Sequence, residues 1–202
     1  HVQGVYTLPN IRVADTDTRP GARDALRNLL REVSRRTNIR AQLETRESPL
    51  LLEELKDCPM LYITGHEPFE FTEEQREVLR QYVALGGTIL GDNDHGPFDQ
   101  CFQREVRRIF GQSLRPIPLS DGIYRAFYVL TSVPPGDLGE TYPLLGIRRG
   151  DRWVVLYSRN DYGDCWAEGP AFEYSTPYRE GAYQLGVNLF VYAVAQWQRR
   201  GR

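Results

Sequence analysis

The chain has 202 residues, 41% of them hydrophobic and 26% charged, the make-up of one or at most two ordinary globular domains; a disordered, collagen-like or solenoid chain is not expected. Lys+Arg of 25 against Asp+Glu of 27 gives a net charge of −2, so nothing in the balance asks for nucleic acid or an anionic membrane. Lys56, the only lysine, stands in Glu-Leu-Lys-Asp, which suits neither Schiff-base chemistry nor a phosphate-binding loop.

Cys58, Cys101 and Cys165 are an odd number at wide spacing, which excludes a disulfide framework and a zinc knuckle and leaves open a single bridge through Cys101 or Cys165. The chain begins at His1 and its one methionine is Met60, so it reads as a processed, truncated or tagged product. No run reaches 18 apolar residues, and no membrane-spanning segment is expected.

In chain order, Pro20 opens a helix whose Leu26, Leu29, Leu30 and Val33 form one apolar stripe. Ser48-Pro49 starts a short helical turn. Met60 to Thr64 is a brief apolar run between Pro59 and Gly65, suited to a strand buried on both faces. Thr72 and Gln75 make a capping box for a helix that buries Val78, Leu79, Tyr82 and Val83 and stops at Gly86-Gly87. Thr88 to Leu90 is a second buried strand, followed by Gly91-Asp92-Asn93-Asp94-His95-Gly96 and a helix marked by Phe98, Cys101, Phe102 and Ile109 that ends at Gly111. Leu114 to Thr141, rich in proline and glycine, is a long excursion within the domain. Trp153 to Ser158 is a third strand, the second arm of a hairpin turning at Arg149-Gly150-Asp151, and a mostly buried helix runs from about Glu180 to Arg199. This alternation predicts a single α/β domain over 1–202, a flavodoxin-like three-layer sandwich with a mainly parallel central sheet and an antiparallel edge hairpin.

In such sheets ligands bind outside the carboxyl ends of the strands. The residues there are polar: Thr64-Gly65-His66-Glu67, then Asp92-Asn93-Asp94-His95, then Ser158-Arg159-Asn160-Asp161. The ligand-binding candidates are His66, Asp92, Asp94, His95, Asn160, Asp161 and Trp166, with His66, Asp94 and His95 as candidate metal ligands. Histidine together with carboxylate suits zinc, manganese or iron better than calcium. Each has a plainer reading. Asp92 or Asp94 can cap the helix beginning near Pro97, His66 and His95 can bond neighbouring loops, Asp161 can close an Asx-turn, and Trp166 can pack over the sheet. Cys101, at helical spacing from Phe98 and Phe102, reads as a buried apolar residue. A nucleophile elbow requires Ser or Cys on a strained strand-to-helix turn, and the turn after Leu90 holds neither.

Pro59, Tyr62, Thr64, Gly65 and His66, then Leu79, Arg80, Tyr82 and Gly86-Gly87, then Tyr157, Ser158, Asn160, Asp161, Gly163 and Trp166, and last Gly186, Asn188 and Tyr192 resemble the bacterial domain-of-unknown-function family 4159, grouped with class I glutamine-amidotransferase-like folds. The resemblance covers nearly the whole chain. It implies a flavodoxin-like sandwich in an exported or periplasmic setting, a cytoplasmic one being the alternative, and no known activity. The family's His-Pro before an Ile/Val-Tyr pair is replaced here by Asp121-Gly122-Ile123-Tyr124.

Two functional readings follow. One is a non-catalytic domain that binds a small molecule or an envelope protein partner in the amidotransferase-like crevice, with no cofactor. The other is a metal-dependent hydrolase in which His66, Asp92, Asp94, His95 or Asp161 holds a divalent ion or activates water.

Overall fold

The computed structural model describes residues 4–13, 17–45 and 47–200; His1, read above as a processed end, lies outside them. Strand β4 is Met60–Gly65 and β5 is Thr88–Asn93, and both are buried almost throughout because helices cover the two faces of the sheet. They pair in parallel from Met60 with Thr88 to Gly65 with Asn93. Helix α3 (Glu73–Ala84), which begins with the Thr72–Gln75 capping box, makes the crossover that parallel pairing requires.

Strand β8 (Arg152–Ser158) lies parallel to β5 on its far side, β7 (Leu145–Arg149) is antiparallel to β8, and β6 (Arg115–Pro116) is antiparallel to β7. On the near side, β2 (Asn10–Arg12) is parallel to β4. The result is a mixed, mostly parallel sheet in the order β2-β4-β5-β8-β7-β6. The run that carries β2 begins as β1 (Val5–Tyr6), which pairs in parallel with β3 (Arg40–Ala41), and Asn10 bridges Glu47. Residues 5–12 therefore have Arg40, Ala41 and Glu47 as partners along one edge and β4 along the other.

Side chains alternate across the sheet. Met60, Tyr62, Leu90 and Leu156 face α1 (Ala25–Arg36) and α6 (Arg179–Arg199), whereas Leu61, Ile63, Ile89, Val155 and Tyr157 face α3 and α4 (Phe98–Phe110). Among the described residues no helix is long and apolar enough to cross a membrane.

Three elements carry no reading from the sequence, and three local expectations change. Strands β1 to β3 have two or three residues each, too short to show a period. Helix α1 starts at Ala25, behind a single 3-10 turn over Ala22–Asp24. The helical turn expected at Ser48-Pro49 forms later, as α2 (Leu52–Leu55). Strand β5 extends three residues past Leu90, through Asp92 and Asn93, which had read as a post-strand turn. The excursion after Leu114 is tied down by α6: Asn188 Nδ2 donates to the Tyr128 carbonyl, and its Oδ1 accepts from the Phe127 and Tyr128 amides.

Candidate functional site

The extension of β5 decides where Asp92 points. It is in register with Thr64 on β4 and Ser158 on β8, and by alternation it faces the α1 side together with Tyr62. There it is 1% exposed. Its Oδ2 accepts from the Gly163 amide at 2.7 Å and the Tyr62 hydroxyl at 3.1 Å, while Oδ1 is buried with no hydrogen-bond partner. Burial raises its carboxyl to about 7, against the pull of those donors. Gly163 has to be glycine for this approach, since a Cβ there would lie 2.7 Å from the Tyr62 hydroxyl.

Past β8 the chain turns into α5 (Tyr162–Trp166) through Asp161, a non-glycine residue in the left-handed region at φ 52, ψ 61. Asp161 Oδ1 accepts from the Asp164 amide at 3.3 Å, so the Asx-turn reading describes one of its oxygens. The other, Oδ2, is buried without a hydrogen bond; His95 Nε2 stands at 3.7 Å, too far to make one. Burial and then the charges of Asp92, Asp164, Asp94 and Asp137 push the Asp161 carboxyl well above the carboxylate range.

Asp164 completes this side. Its Oδ2 is held by Arg19 Nη2 at 2.6 Å and the Tyr174 hydroxyl at 2.7 Å, and burial raises its carboxyl despite both. Asp94 Oδ2 lies 3.3 Å from His66 Nδ1. One carboxylate oxygen from each of Asp94, Asp161 and Asp164 falls within 4.8 Å of the others. A second group, His95, Asp137 and Glu140, meets the same criterion beside it. Asp137 is 3% exposed, is 3.4 Å from His95 Nε2, and is raised to about 6 by burial.

The strand-to-helix turn after β5 is strained where an elbow would be. His95 has φ 59, and Gly96, at φ 72, packs so tightly that a Cβ would lie 2.6 Å from the His66 carbonyl oxygen. A crevice of about 360 Å³ opens beside these residues, lined among others by Arg12, Asp17, Arg23, Asp94, Asp161 and Asp164.

His66, Asp92, Asp94, His95 and Asp161 thus meet at the carboxyl edge of the sheet. Neither Asp92 nor Asp94 caps α4, whose N-cap is Pro97 with no side-chain cap; Asp92 is inside the strand instead. Asn160 and Trp166 face inward. Asn160 spends its amide on Tyr142 and the Tyr162 hydroxyl, and Trp166 Nε1 donates to the Ala182 carbonyl while its ring tilts against Tyr62. Cys101 and Cys165 are buried and form no disulfide. Sequence reasoning missed Asp164, Asp137, Glu140, Arg19 and Tyr62 as site residues. For Asp164 a signal existed, three positions beyond Asp161. Asp137 sits in the proline-rich excursion, and tertiary contacts bring it here, among them its amide donating to the Asn160 carbonyl and the Tyr162 hydroxyl donating to the Pro134 carbonyl.

The family model described as Domain of unknown function (DUF4159) matches residues 7–194. No curated protein matches the chain. A match over so much of the sequence assigns the family: the chain belongs to the domain-of-unknown-function family DUF4159.

Proposed function

We propose that this chain is a ligand-binding domain of amidotransferase-like, flavodoxin-like architecture that has kept the crevice and lost the nucleophile. The observation that carries the reading is the turn after β5. It has the strained backbone of a nucleophile elbow, yet the residue at positive φ is His95, with Asp94 before it and Gly96 after it. The strand pairings support the fold part. Taking residues 5–12 as one strand, 40–41 pairs on one side and β4, β5 and β8 follow on the other, which is the 2-1-3-4-5 order of flavodoxin-like sheets. The crevice then lies at the point where the crossovers change direction, the usual ligand seat. The ligand is a small polar molecule, because carboxylates and Arg12 and Arg23 share the lining. An exported bacterial setting belongs to the same proposal.

A fragment library screened by saturation-transfer NMR tests it. Hits should be lost in Ala22→Phe, which fills the crevice, and kept in Phe127→Ser, on exposed surface elsewhere. Absence of any binder, or hits indifferent to Ala22→Phe, refutes the reading. A metal-dependent hydrolase is the second reading, favoured by the convergence of His66 and His95 with Asp92, Asp94 and Asp161. Turnover of p-nitrophenyl phosphate or acetate with manganese, abolished by Asp161→Asn, would select it over simple binding.

A further inference from the structure

We propose that Asp94, Asp161 and Asp164 form a site for one hard divalent cation of the magnesium, manganese or calcium kind. The proposal rests on the ligand-binding reading and deepens it by naming what the acidic end of the crevice takes. Two oxygens bound to one ion at about 2.0 to 2.6 Å stand at most about 5 Å apart. The three carboxylates, with one oxygen each inside a 4.8 Å circle, already meet that limit.

Proximity of acids alone would not make a site. The independent observation is Asp161 Oδ2, an oxygen on a side chain 1% exposed, with no hydrogen bond; His95 Nε2 stands 3.7 Å from it, beyond hydrogen-bond reach. A buried carboxylate oxygen left without a donor is costly unless something else satisfies it. All three carboxylates line the crevice, so an ion has a path from solvent. Arg19 and Tyr174 fix the Asp164 carboxylate by its Oδ2, and His66 does the same for Asp94, which is how ligand orientation is set in metal sites. A set of three carboxylates, with no nitrogen or sulfur among them, selects hard cations. Of the zinc, manganese or iron expected from histidine and carboxylate together this keeps manganese alone, because His95 turns to Asp137 and Glu140 instead.

The test is a Mn2+ titration of the full chain, stripped with chelator and dialysed, followed by electron paramagnetic resonance. One Mn2+ should bind per chain and be displaced by excess Mg2+ or Ca2+. Asp161→Asn and Asp94→Asn should each weaken binding tenfold or more with unchanged circular dichroism. Phe127→Ser, on exposed surface elsewhere, should leave stoichiometry and affinity as they are. The proposal falls if no Mn2+ binds at millimolar concentration, if both asparagine variants bind as the parent does, or if His95→Ala abolishes binding and so moves the ion to Asp137 and Glu140. Fragment binding that persists in chelator while Mn2+ fails would overturn this inference alone; failure of both would remove the ligand-binding reading as well.

Discussion

Replacing Asp92 by asparagine in the metal-free protein separates the function of this edge from its stability. Lifting a carboxyl from 3.8 to about 7 corresponds to about 4 kcal/mol between its two protonation states. The folded chain keeps the Asp92 proton between those values while the unfolded chain has released it. The native state therefore binds more protons, and its stability falls as pH rises through the window from about 4 to 7, levelling off above it. Asparagine cannot ionise and escapes that loss. The difference between the two proteins should be small near pH 4 and reach about 1 to 4 kcal/mol in favour of Asp92→Asn by pH 8. Relief of the Asp92 charge on Asp161 acts with the same sign. Urea denaturation at pH 4, 5, 6, 7 and 8 in the presence of chelator measures the difference. A gap that does not widen with pH, or that turns against asparagine, refutes the reasoning.

Other substitutions probe the scaffold. In Gly163→Ala the new Cβ would sit 2.7 Å from the Tyr62 hydroxyl and 3.4 Å from Asp92 Oδ2, and the tyrosine is locked in the core; a loss of about 1 to 3 kcal/mol in denaturation and weaker crevice binding are expected. Asn188→Ala removes hydrogen bonds of 2.7, 2.9 and 3.2 Å to the 127–128 backbone and should cost about 3 kcal/mol, with faster amide exchange around Tyr128. Cys101→Ala should cost about 1 kcal/mol of packing and leave Mn2+ and fragment binding intact. A thiol reagent that reacts rapidly at Cys101 in the folded protein and abolishes binding would show that this cysteine belongs to the site.

The central elements were legible because each carries its own physical signal. The Thr72–Gln75 capping box, the stripe of Leu79, Tyr82 and Val83, and the apolar runs of β4 and β8 are local patterns that the core enforces. Strands β1 to β3 were not legible, since their pairing comes from the partner strand and from Pro9 and Asn10 backbone contacts, not from any alternation of their own. At the site, position after a strand singled out His66, Asp94 and Asp161, but it put Asp92 in a turn before α4 when it lies inside β5. Glycine, aspartate and asparagine are poor strand formers, and Gly91-Asp92-Asn93 stays extended because Phe102 packs over Gly91 and Gly163 satisfies Asp92, both tertiary effects. Asn160 and Trp166 carried the same positional signal and spend their polar groups inside the fold. Polarity near a strand end does not distinguish a side chain facing the crevice from one that ties down a loop.

Asp161 shows why the cluster is more than loop chemistry. Its backbone, at φ 52 and ψ 61, would accept asparagine or glycine as readily, and the turn needs only the Oδ1 that receives the Asp164 amide. Neither requirement calls for a charge. Aspartate adds a second buried oxygen without a donor, in the company of Asp92, Asp94, Asp137 and Asp164, whose charges oppose its ionisation. A sequence shaped by folding alone would place asparagine here, as it does one position earlier at Asn160, where every polar atom of the side chain is used. Local rules broken without a gain in folding mark the positions kept for another purpose. The charge of Asp161, whose Oδ2 lies 3.7 Å from His95 Nε2 and beyond its hydrogen-bond reach, is the part of the residue that the proposed cation would use.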